Sequence, residues 1–297
     1  MKPNKALLST VGVILISGML VFGISGDSKD KLLHEGTAMY FPTAVDFAGE
    51  TVPLKITDVK ERLDRELLIN ANLDATTTLI IKRANRVFPI IEPILQKYNV
   101  PDDFKYLAVI ESGLTNAVSG SGAKGVWQFM PDTAKEKGME VNDIVDERYH
   151  LEKSTEAACR YLLDAKGKFG SWTLAAASYN GGMTGVEKKI EEQKVTNYYD
   201  LALTEETSRY VFRILALKEI MKNPAKYGFS IFASDLYNQI PFKKIEVDST
   251  VNDLSDFAKT QGINYKILKI HNPWLRDRKL LNPTKKKYEI EIPLSGY

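Results

Sequence analysis

Apolar residues recur three or four positions apart through most of the chain between residues 57 and 222. In the stretch DVKERLDRELLINAN, for example, Val59, Leu63 and Leu67 fall on one face of a helix. Similar spacing predicts further helices over 101–112, 131–138, 152–168, 172–180, 184–192 and 205–222. The central part of the chain is therefore predicted to be mainly α-helical.

Prolines and glycines punctuate this helical pattern. Pro89 and Pro93 interrupt the stretch TTLIIKRANRVFPIIEPILQKY and predict breaks or helix starts there. Pro101 suits the first turn of the following helix, and the two aspartates after it suit the positive end of the helix dipole. Gly113 is a plausible stop for that helix.

The pattern changes after about residue 230. The segments IPFKKIEV and KKYEIEIP alternate like strands, and two short helical stretches, VNDLSDFAKTQG and NYKILKIHN, lie between them. This order predicts a small β-α-α-β unit behind the helical part.

The first residues have the pattern of an export signal, a basic start followed by an apolar run. Lys2 and Lys5 precede an uncharged, largely apolar run from Ala6 to Ser25. About 20 apolar residues can also span a bilayer. Two interpretations stay open: cleavage near Gly23, or retention as an N-terminal membrane anchor. Either one places the rest of the chain outside the cytoplasmic membrane, in the periplasm or cell envelope.

Charge and cysteine content narrow the function classes. The 40 basic and 38 acidic residues nearly balance, whereas nucleic-acid binders usually show a basic excess. The single cysteine, Cys159, precludes an internal disulfide and is predicted to be a buried helix residue. The histidines, His34, His150 and His271, have no metal-ligand spacing. We therefore expect no nucleic-acid partner and no metal or other cofactor.

Glu111 is the strongest candidate for chemistry. It follows the apolar run Leu107–Ile110 at the predicted C-terminal end of a helix. Apolar surroundings and the negative end of the helix dipole both oppose ionisation of a carboxyl group. A carboxyl that stays protonated near neutral pH can act as a general acid in glycosidic bond cleavage. From these residues alone, a surface glutamate at a helix end is the alternative.

Four short motifs then occur in a recognisable order: ESG from Glu111, GVWQFMP over 125–131, ASYNGG over 177–182 and ETSRYV over 206–211. Together they resemble the soluble, goose-type lysozyme-like class of lytic transglycosylases over residues 95–222. Departures are modest, such as Thr115 where the family often has Asn-Pro. The resemblance implies a lysozyme-like α-helical catalytic domain that cleaves peptidoglycan.

The resemblance also implies roles for single residues. Glu111 corresponds to the catalytic acid and base. The residues that correspond to substrate-binding positions are Ser119, Gln128, Met130, Tyr179, Asn180 and Tyr210. Among these, Tyr179 and Asn180 are expected to face Glu111 and to bond the substrate or the carboxyl. The neighbouring aromatic residues Trp127 and Phe129 are interpreted as core packing.

In the resembled family one carboxylate suffices. It protonates the oxygen between MurNAc and GlcNAc and then takes a proton from the C6 hydroxyl, which leaves a 1,6-anhydro-MurNAc end. Asp103 lies eight residues before Glu111, about 12 Å along a helix, too far to be a nucleophile. A contribution from Asp143 or Asp146 stays open. The alternatives are a hydrolytic lysozyme and a catalytically silent peptidoglycan-binding protein.

Residues 241–293 resemble a divergent LysM module, with Asn272-Pro273 where such modules often carry Asn-Pro. A LysM module implies binding to GlcNAc-containing chains, which raises the effective concentration of the enzyme on the wall. A packing appendage is the alternative. We thus predict a signal or anchor over 1–26, a linker and helical preamble over 27–94, a catalytic domain over 95–230 and the module over 240–297.

Overall fold

Residues 39–295 are described by a computed structural model, and the predicted signal or anchor segment lies outside these residues. Across 39–295 no helix is both long enough and apolar enough to cross a membrane. This part of the chain is mainly helical, which confirms the predicted fold class. Its helices are α1 Thr57–Ala71, α2 Asp74–Lys97, α3 Lys105–Ser112, α4 Pro131–Glu136, α5 Leu151–Phe169, α6 Trp172–Gly181, α7 Met183–Gln193, α8 Glu205–Lys222, α9 Leu254–Thr260 and α10 Tyr265–His271. Its strands are β1 Asp46–Phe47, β2 Glu50–Thr51, β3 Phe242–Val247 and β4 Tyr288–Pro293.

The predicted break at the two prolines is wrong, because α2 runs continuously through Pro89 and Pro93. Both prolines are exposed and lie four residues apart on one outer face, whereas Ile91 and Leu95 are buried on the opposite face. Water can replace the helical hydrogen bonds that proline removes on an exposed face. The predicted boundary between residues 94 and 95 therefore falls inside a helix.

Helix α3 lies at the centre of the helical part. Its residues from Lys105 to Ile110 are all buried. Helix α8 packs against α1, α3 and α6, and α5 packs against α2 and α6. The apolar stripes predicted from helical spacing thus meet around the short helix that carries Glu111.

The strap before α1 is ordered around two short strands, β1 and β2, that pair antiparallel. Glu50 from β2 caps the start of α6: its carboxylate accepts hydrogen bonds from the Trp172 backbone N–H at 2.6 Å and the Thr173 backbone N–H at 2.9 Å. A carboxylate at a helix N-terminus satisfies free N–H groups and complements the dipole. The strap therefore fixes the helix that carries Tyr179 and Asn180.

The C-terminal unit has the predicted β-α-α-β order. Strands β3 and β4 pair antiparallel from Phe242 opposite Pro293 to Val247 opposite Tyr288. The buried Asn272 side chain ties α10 to β4, because its Nδ2 donates to the Glu291 carbonyl at 2.7 Å and its Oδ1 accepts from the Glu291 N–H at 2.8 Å. These two hydrogen bonds hold α10 against the sheet of the unit.

Candidate active site

Glu111 lies in the last turn of α3, where the sequence placed it. The helix ends at Gly113, which adopts the left-handed conformation with φ of 58° and donates its N–H to the Val109 carbonyl at 2.8 Å. Glycine occupies this conformation without the penalty that other residues meet. The sharp stop leaves the Glu111 side chain at the edge of the core.

The environment of Glu111 opposes its ionisation. Burial raises the pKa of this carboxyl to about 7, and the nearby Glu206 carboxylate acts in the same direction. The Tyr210 hydroxyl, which donates a short hydrogen bond to Glu111 Oε1, and the Arg213 guanidinium both oppose the rise. Desolvation outweighs the two favourable partners, so both protonation states are accessible near neutral pH.

The glycine-rich loop over 117–129 packs beside the end of α3. The Ser112 hydroxyl donates to the Val126 carbonyl at 2.8 Å. Gln128 has a positive φ of 49°, and its side-chain amide donates to the carbonyls of Gly125 at 2.8 Å and Ala117 at 3.1 Å. In this structure the predicted substrate ligand Gln128 therefore holds the loop by its own side chain.

Tyr179 and Asn180, on α6, lie on the same side of the site, but neither forms a hydrogen bond to the Glu111 carboxyl. The Tyr179 hydroxyl donates to the Trp127 carbonyl at 2.8 Å. The Asn180 side chain donates to Glu206 Oε1 at 3.0 Å and accepts from the Thr207 hydroxyl at 2.8 Å. The Glu111 carboxyl is contacted by Tyr210 instead, because α8 packs directly against α3.

Of the remaining predicted positions, Ser119 lies within the loop and Met130 lies where the loop leads into α4. Ser119 Oγ accepts the Ala123 N–H at 2.9 Å and lies 3.0 Å from Ser121 Oγ. Met130 is 42% exposed at the start of α4. Its apolar side chain is thus open to a ligand, whereas the Ser119 hydroxyl is engaged within the loop.

The interpretation of Trp127 and Phe129 as core residues is confirmed. Both side chains are buried, and the Trp127 indole N–H donates to the Thr155 hydroxyl at 2.8 Å. Cys159, also predicted to be buried, is enclosed on α5, where burial raises the pKa of its thiol to about 12.

Comparison with known protein families adds to this geometry. Residues 88–201, which include Glu111 and the loop, match the family described as the transglycosylase SLT domain. This part of the chain is similar to that family. Residues 243–296 match the family described as the soluble lytic transglycosylase C-terminal LysM-like domain. The predicted resemblance to this class, and its LysM-like module, are therefore confirmed.

Two curated relatives share this part of the sequence. They are the membrane-bound lytic murein transglycosylase D proteins of Escherichia coli strain K12 and of Escherichia coli O6:H1. Each is 32% identical over 184 residues, which is 60% of this chain and 40% of the relative. The similarity thus covers less than half the length of either relative.

The sequence did not predict that Arg148, held by Asp146, supports the glycine-rich loop. Arg148 is buried and donates from Nη1 to the carbonyls of Gly122 at 3.1 Å and Phe129 at 3.2 Å. Asp146 accepts two 2.8 Å hydrogen bonds from the same guanidinium. A signal was available in the sequence: two opposite charges stand two residues apart between the apolar Val145 and Tyr149.

Among the described residues, Asp103, Asp143 and Asp146 form no hydrogen bond to Glu111. Asp103 pairs with Lys218 at 2.6 Å beneath the strap, and Asp146 is held by Arg148. Glu206, from the weakest of the four motifs, is the carboxylate that influences the Glu111 pKa. Within residues 39–295 no cluster of three His, Cys, Asp or Glu side chains could hold a metal ion.

The helical part of the chain also has a cavity away from this site. It has a volume of about 490 Å³ and lies between α1 and α8, and Glu111 is not among its lining residues. Its three arginines are already paired with acidic side chains, as in Arg209 with Glu66 at 2.6 Å. Burial raises the pKa of the Glu111 carboxyl to about 7, so the Glu111 site is a better candidate for the chemistry than this cavity.

Proposed function

We propose that this protein is a peptidoglycan lytic transglycosylase. The observation that carries the proposal is the Glu111 carboxyl, which is half-buried at the end of α3, within the residues that match the SLT domain, and is held by Tyr210. The curated relatives are named as lytic murein transglycosylases, which supports murein as the substrate. The LysM-like module supports the same polymer.

A single carboxyl group with a pKa of about 7 suits both halves of the reaction. Protonated Glu111 gives its proton to the oxygen that joins MurNAc to GlcNAc, and this bond breaks. The N-acetyl group of the substrate supports the positive charge at C1. Ionised Glu111 then takes the proton of the C6 hydroxyl, whose oxygen bonds to C1 and forms the 1,6-anhydro ring. Intramolecular attack needs no positioned water.

The other site residues divide into two groups in this proposal. Tyr210 holds the Glu111 carboxyl, and Gln128 and Tyr179 hold the loop through backbone carbonyls. Met130 is exposed and offers an apolar contact to a sugar face, and Ser119 and Asn180 supply polar groups at the rim. Contacts from both groups shape the groove in which a glycan strand would lie.

We further propose that the protein works in the cell envelope. The support is the basic and apolar start of the sequence together with the name of the relatives, which describes them as membrane-bound. The N-terminal segment would either direct export or remain as the anchor.

Digestion of purified peptidoglycan by the full chain tests the activity. Mass spectrometry of the products should show muropeptides that are lighter than reducing-end products by one water. Glu111→Gln should abolish them, while Glu191→Gln, a matched change at an exposed site on α7, should leave the digest unchanged. Binding to the wall without any cleavage would refute the proposal.

A hydrolytic lysozyme is the second candidate, and Glu206 is the observation that favours it. Its carboxylate lies close enough to Glu111 to raise the pKa of that group and is oriented by Asn180. Reducing ends that disappear in Glu206→Gln would assign it as the base that activates water. Anhydro products that persist in Glu206→Gln would reject this candidate.

A further inference from the structure

The segment 140–150 lies between the LysM-like module and the glycine-rich loop of the active site. On the module side, the Asp146 N–H donates to the Trp274 carbonyl at 2.9 Å, and the Arg276 N–H donates to the Ile144 carbonyl at 2.7 Å. Val145 pairs with Leu275 as an antiparallel bridge. The segment is therefore tied to the module by one isolated β-bridge.

Side chains of this segment also enter the hydrophobic core of the module. Val145 and Tyr149 are buried in the same cluster as Leu268 and Ile290. The Arg276 guanidinium stacks over the Tyr149 ring at 4.3 Å. A shared apolar core is the mark of a fixed interface, since a module tethered only by a linker would have closed its own core.

Charged contacts reinforce this interface. Lys286 Nζ lies 2.6 Å from Glu140 Oε2 and 3.2 Å from Glu147 Oε1. The other carboxylate oxygen of Glu147 accepts the Glu140 N–H at 2.7 Å, so one lysine holds both ends of the turn. The Tyr288 hydroxyl adds a hydrogen bond to Glu140 at 3.0 Å.

On the opposite side the same segment reaches the active site. Arg148 is held by Asp146 through two parallel hydrogen bonds and donates to Gly122 and Phe129 in the loop. The backbone contact is equally close, because a Cβ at Gly125 would lie 1.8 Å from the Arg148 carbonyl oxygen. Three successive residues, 146 to 148, thus contact the module and the loop at once.

We propose that Asp146 and Arg148 are positioning residues for the active-site loop, and that the LysM-like module acts in catalysis by fixing them. The expected change in kcat rests on the proposed function. The structural part of the proposal does not: weakening the contacts between the module and segment 140–150 should reduce the order of the loop over 117–129. A guanidinium that bridges two loop carbonyls transmits displacement of its backbone directly, because its fork geometry is rigid.

Two neighbouring lysines of the module give a matched test. Lys286 bonds the segment 140–150, whereas Lys287 pairs with Glu246 inside the module at 2.8 Å. Hydrogen exchange of the full chain should show faster exchange at the loop amides of Lys124 and Gly125 in Lys286→Ala. Lys287→Ala should match the wild type. Equal loop protection in both variants would overturn the proposal.

Kinetics on a soluble GlcNAc-MurNAc tetrasaccharide test the catalytic consequence. This substrate is too short to occupy the active site and a distant binding module together, so a tether cannot affect it. We expect kcat to fall about fivefold in Lys286→Ala with little change in KM. Unchanged kcat alongside faster loop exchange would overturn the catalytic part of the proposal.

A double-mutant cycle links the two ends of the path. Arg148→Lys keeps the charge but cannot bridge Asp146 and the loop in the same way. If the module acts through Arg148, the effects of Lys286→Ala and Arg148→Lys on loop exchange should be less than additive. Full additivity would contradict a common path. Should the full chain cleave nothing, the proposed function fails, but the exchange comparison still decides the structural coupling.

Discussion

At the scale of single residues, Glu111 and Tyr210 form the pair on which the proposed chemistry depends. Burial opposes the carboxylate, and the tyrosine hydroxyl favours it. The balance leaves the pKa at about 7. Since the first chemical step needs the protonated form, the group is poised where a small change in either influence alters its charge.

The pH dependence of cleavage should reveal this balance. We expect kcat/KM to fall as pH rises through about 7, because ionised Glu111 cannot protonate the glycosidic oxygen. Tyr210→Phe removes a donor to the ionised form, so the falling limb should move to higher pH. A stopped assay of the soluble tetrasaccharide across pH 5–9 measures both profiles. A limb that stays in place would show that Tyr210 does not tune this carboxyl.

The same pKa has a consequence for stability. Burial raises the pKa of the Glu111 carboxyl from its usual value of 4.5 to about 7, so the folded protein favours the protonated form. Wild type should therefore lose stability relative to Glu111→Gln as pH rises from about 4.5 through 7, by roughly 1–3 kcal/mol. Thermal unfolding at pH 4 and pH 8 checks this.

The difference in Tm between the two proteins should be small at pH 4 and should favour Glu111→Gln at pH 8. Glu191→Gln serves as the exposed control and should show no such pH dependence. A wild type that is the more stable protein at pH 8 would mean that the carboxylate is well solvated in the folded state.

Gly125 is the residue of the loop that tolerates least change. Its φ is 83°, and an added Cβ would meet the Arg148 carbonyl oxygen at 1.8 Å. Gly125→Ala should cost roughly 2–5 kcal/mol, from the strained backbone and the clash together. Gly120→Ala, in the same loop with no atom within 4 Å of its Cβ, should cost little. Urea unfolding of both variants measures the contrast, and equal midpoints would contradict the close approach.

At this scale the motifs predicted Glu111 as the candidate acid, and its catalytic role stays a prediction; its hydrogen-bond partner in the structure is Tyr210. The motif order brought Tyr179 and Tyr210 to the site, yet which hydroxyl reaches the carboxyl depends on how α6 and α8 pack on α3. Arg148 was missed because its partners lie 19 and 26 residues away and are backbone carbonyls. Backbone acceptors leave no residue-type signal in a sequence.

At the scale of elements, Glu50 shows how the strap controls a helix of the site. Besides the two backbone donors, the hydroxyls of Ser171 and Thr173 bond its carboxylate. Burial opposes ionisation of Glu50, but these hydrogen bonds outweigh it and hold the pKa of the carboxyl below its usual value. The charge therefore favours folding above the unfolded pKa, and this contribution is lost as pH falls through the lower folded value.

Glu50→Gln should accordingly destabilise the protein by about 1–2 kcal/mol at pH 7, since amide groups accept fewer and weaker hydrogen bonds than a carboxylate. The deficit should shrink at acid pH, where wild-type Glu50 is protonated too. Glu61→Gln, an exposed change on α1, is the control. Denaturant midpoints at pH 7 and at pH 3 or below test the expectation, and a deficit that grows at acid pH would contradict it.

Helical spacing predicted most helices well, because the apolar stripe of an amphipathic helix indicates which face is buried. Helix α8, for instance, was predicted over the same residues that form it. Helix α2 was divided wrongly at its prolines, since whether a proline breaks a helix depends on which face it occupies. The outer face of α2 is determined by its packing against other helices, which the local sequence does not show.

At the scale of the whole molecule, the helical domain and the LysM-like module share a core through Val145 and Tyr149. The sequence suggested either a wall-binding tether or a packing appendage, and the interface gives the module a packing role without deciding its affinity for glycan. Order of strands and helices was predictable from local pattern. The interface was not, because it joins residues about 130 positions apart in a segment that looks like a surface turn.

Because of this shared core, residues 39–295 should unfold in one cooperative transition. Separation of the module would expose Val145, Tyr149 and Leu275 to water, which costs both parts stability. Calorimetry of the full chain should give a van't Hoff enthalpy close to the calorimetric value. A separate early transition, with a van't Hoff enthalpy well below the calorimetric enthalpy, would show that the module unfolds on its own.

The bridge between Val145 and Leu275 also sets an order of events during synthesis. At about 5–20 residues per second, roughly 6–26 s pass between the appearance of one partner and that of the other. During that interval the segment that carries Arg148 lacks its contacts with the module, so the loop beside Glu111 is not yet held by a fixed Arg148. A newly made chain therefore gains the outer support of the loop beside Glu111 only after Leu275 has emerged.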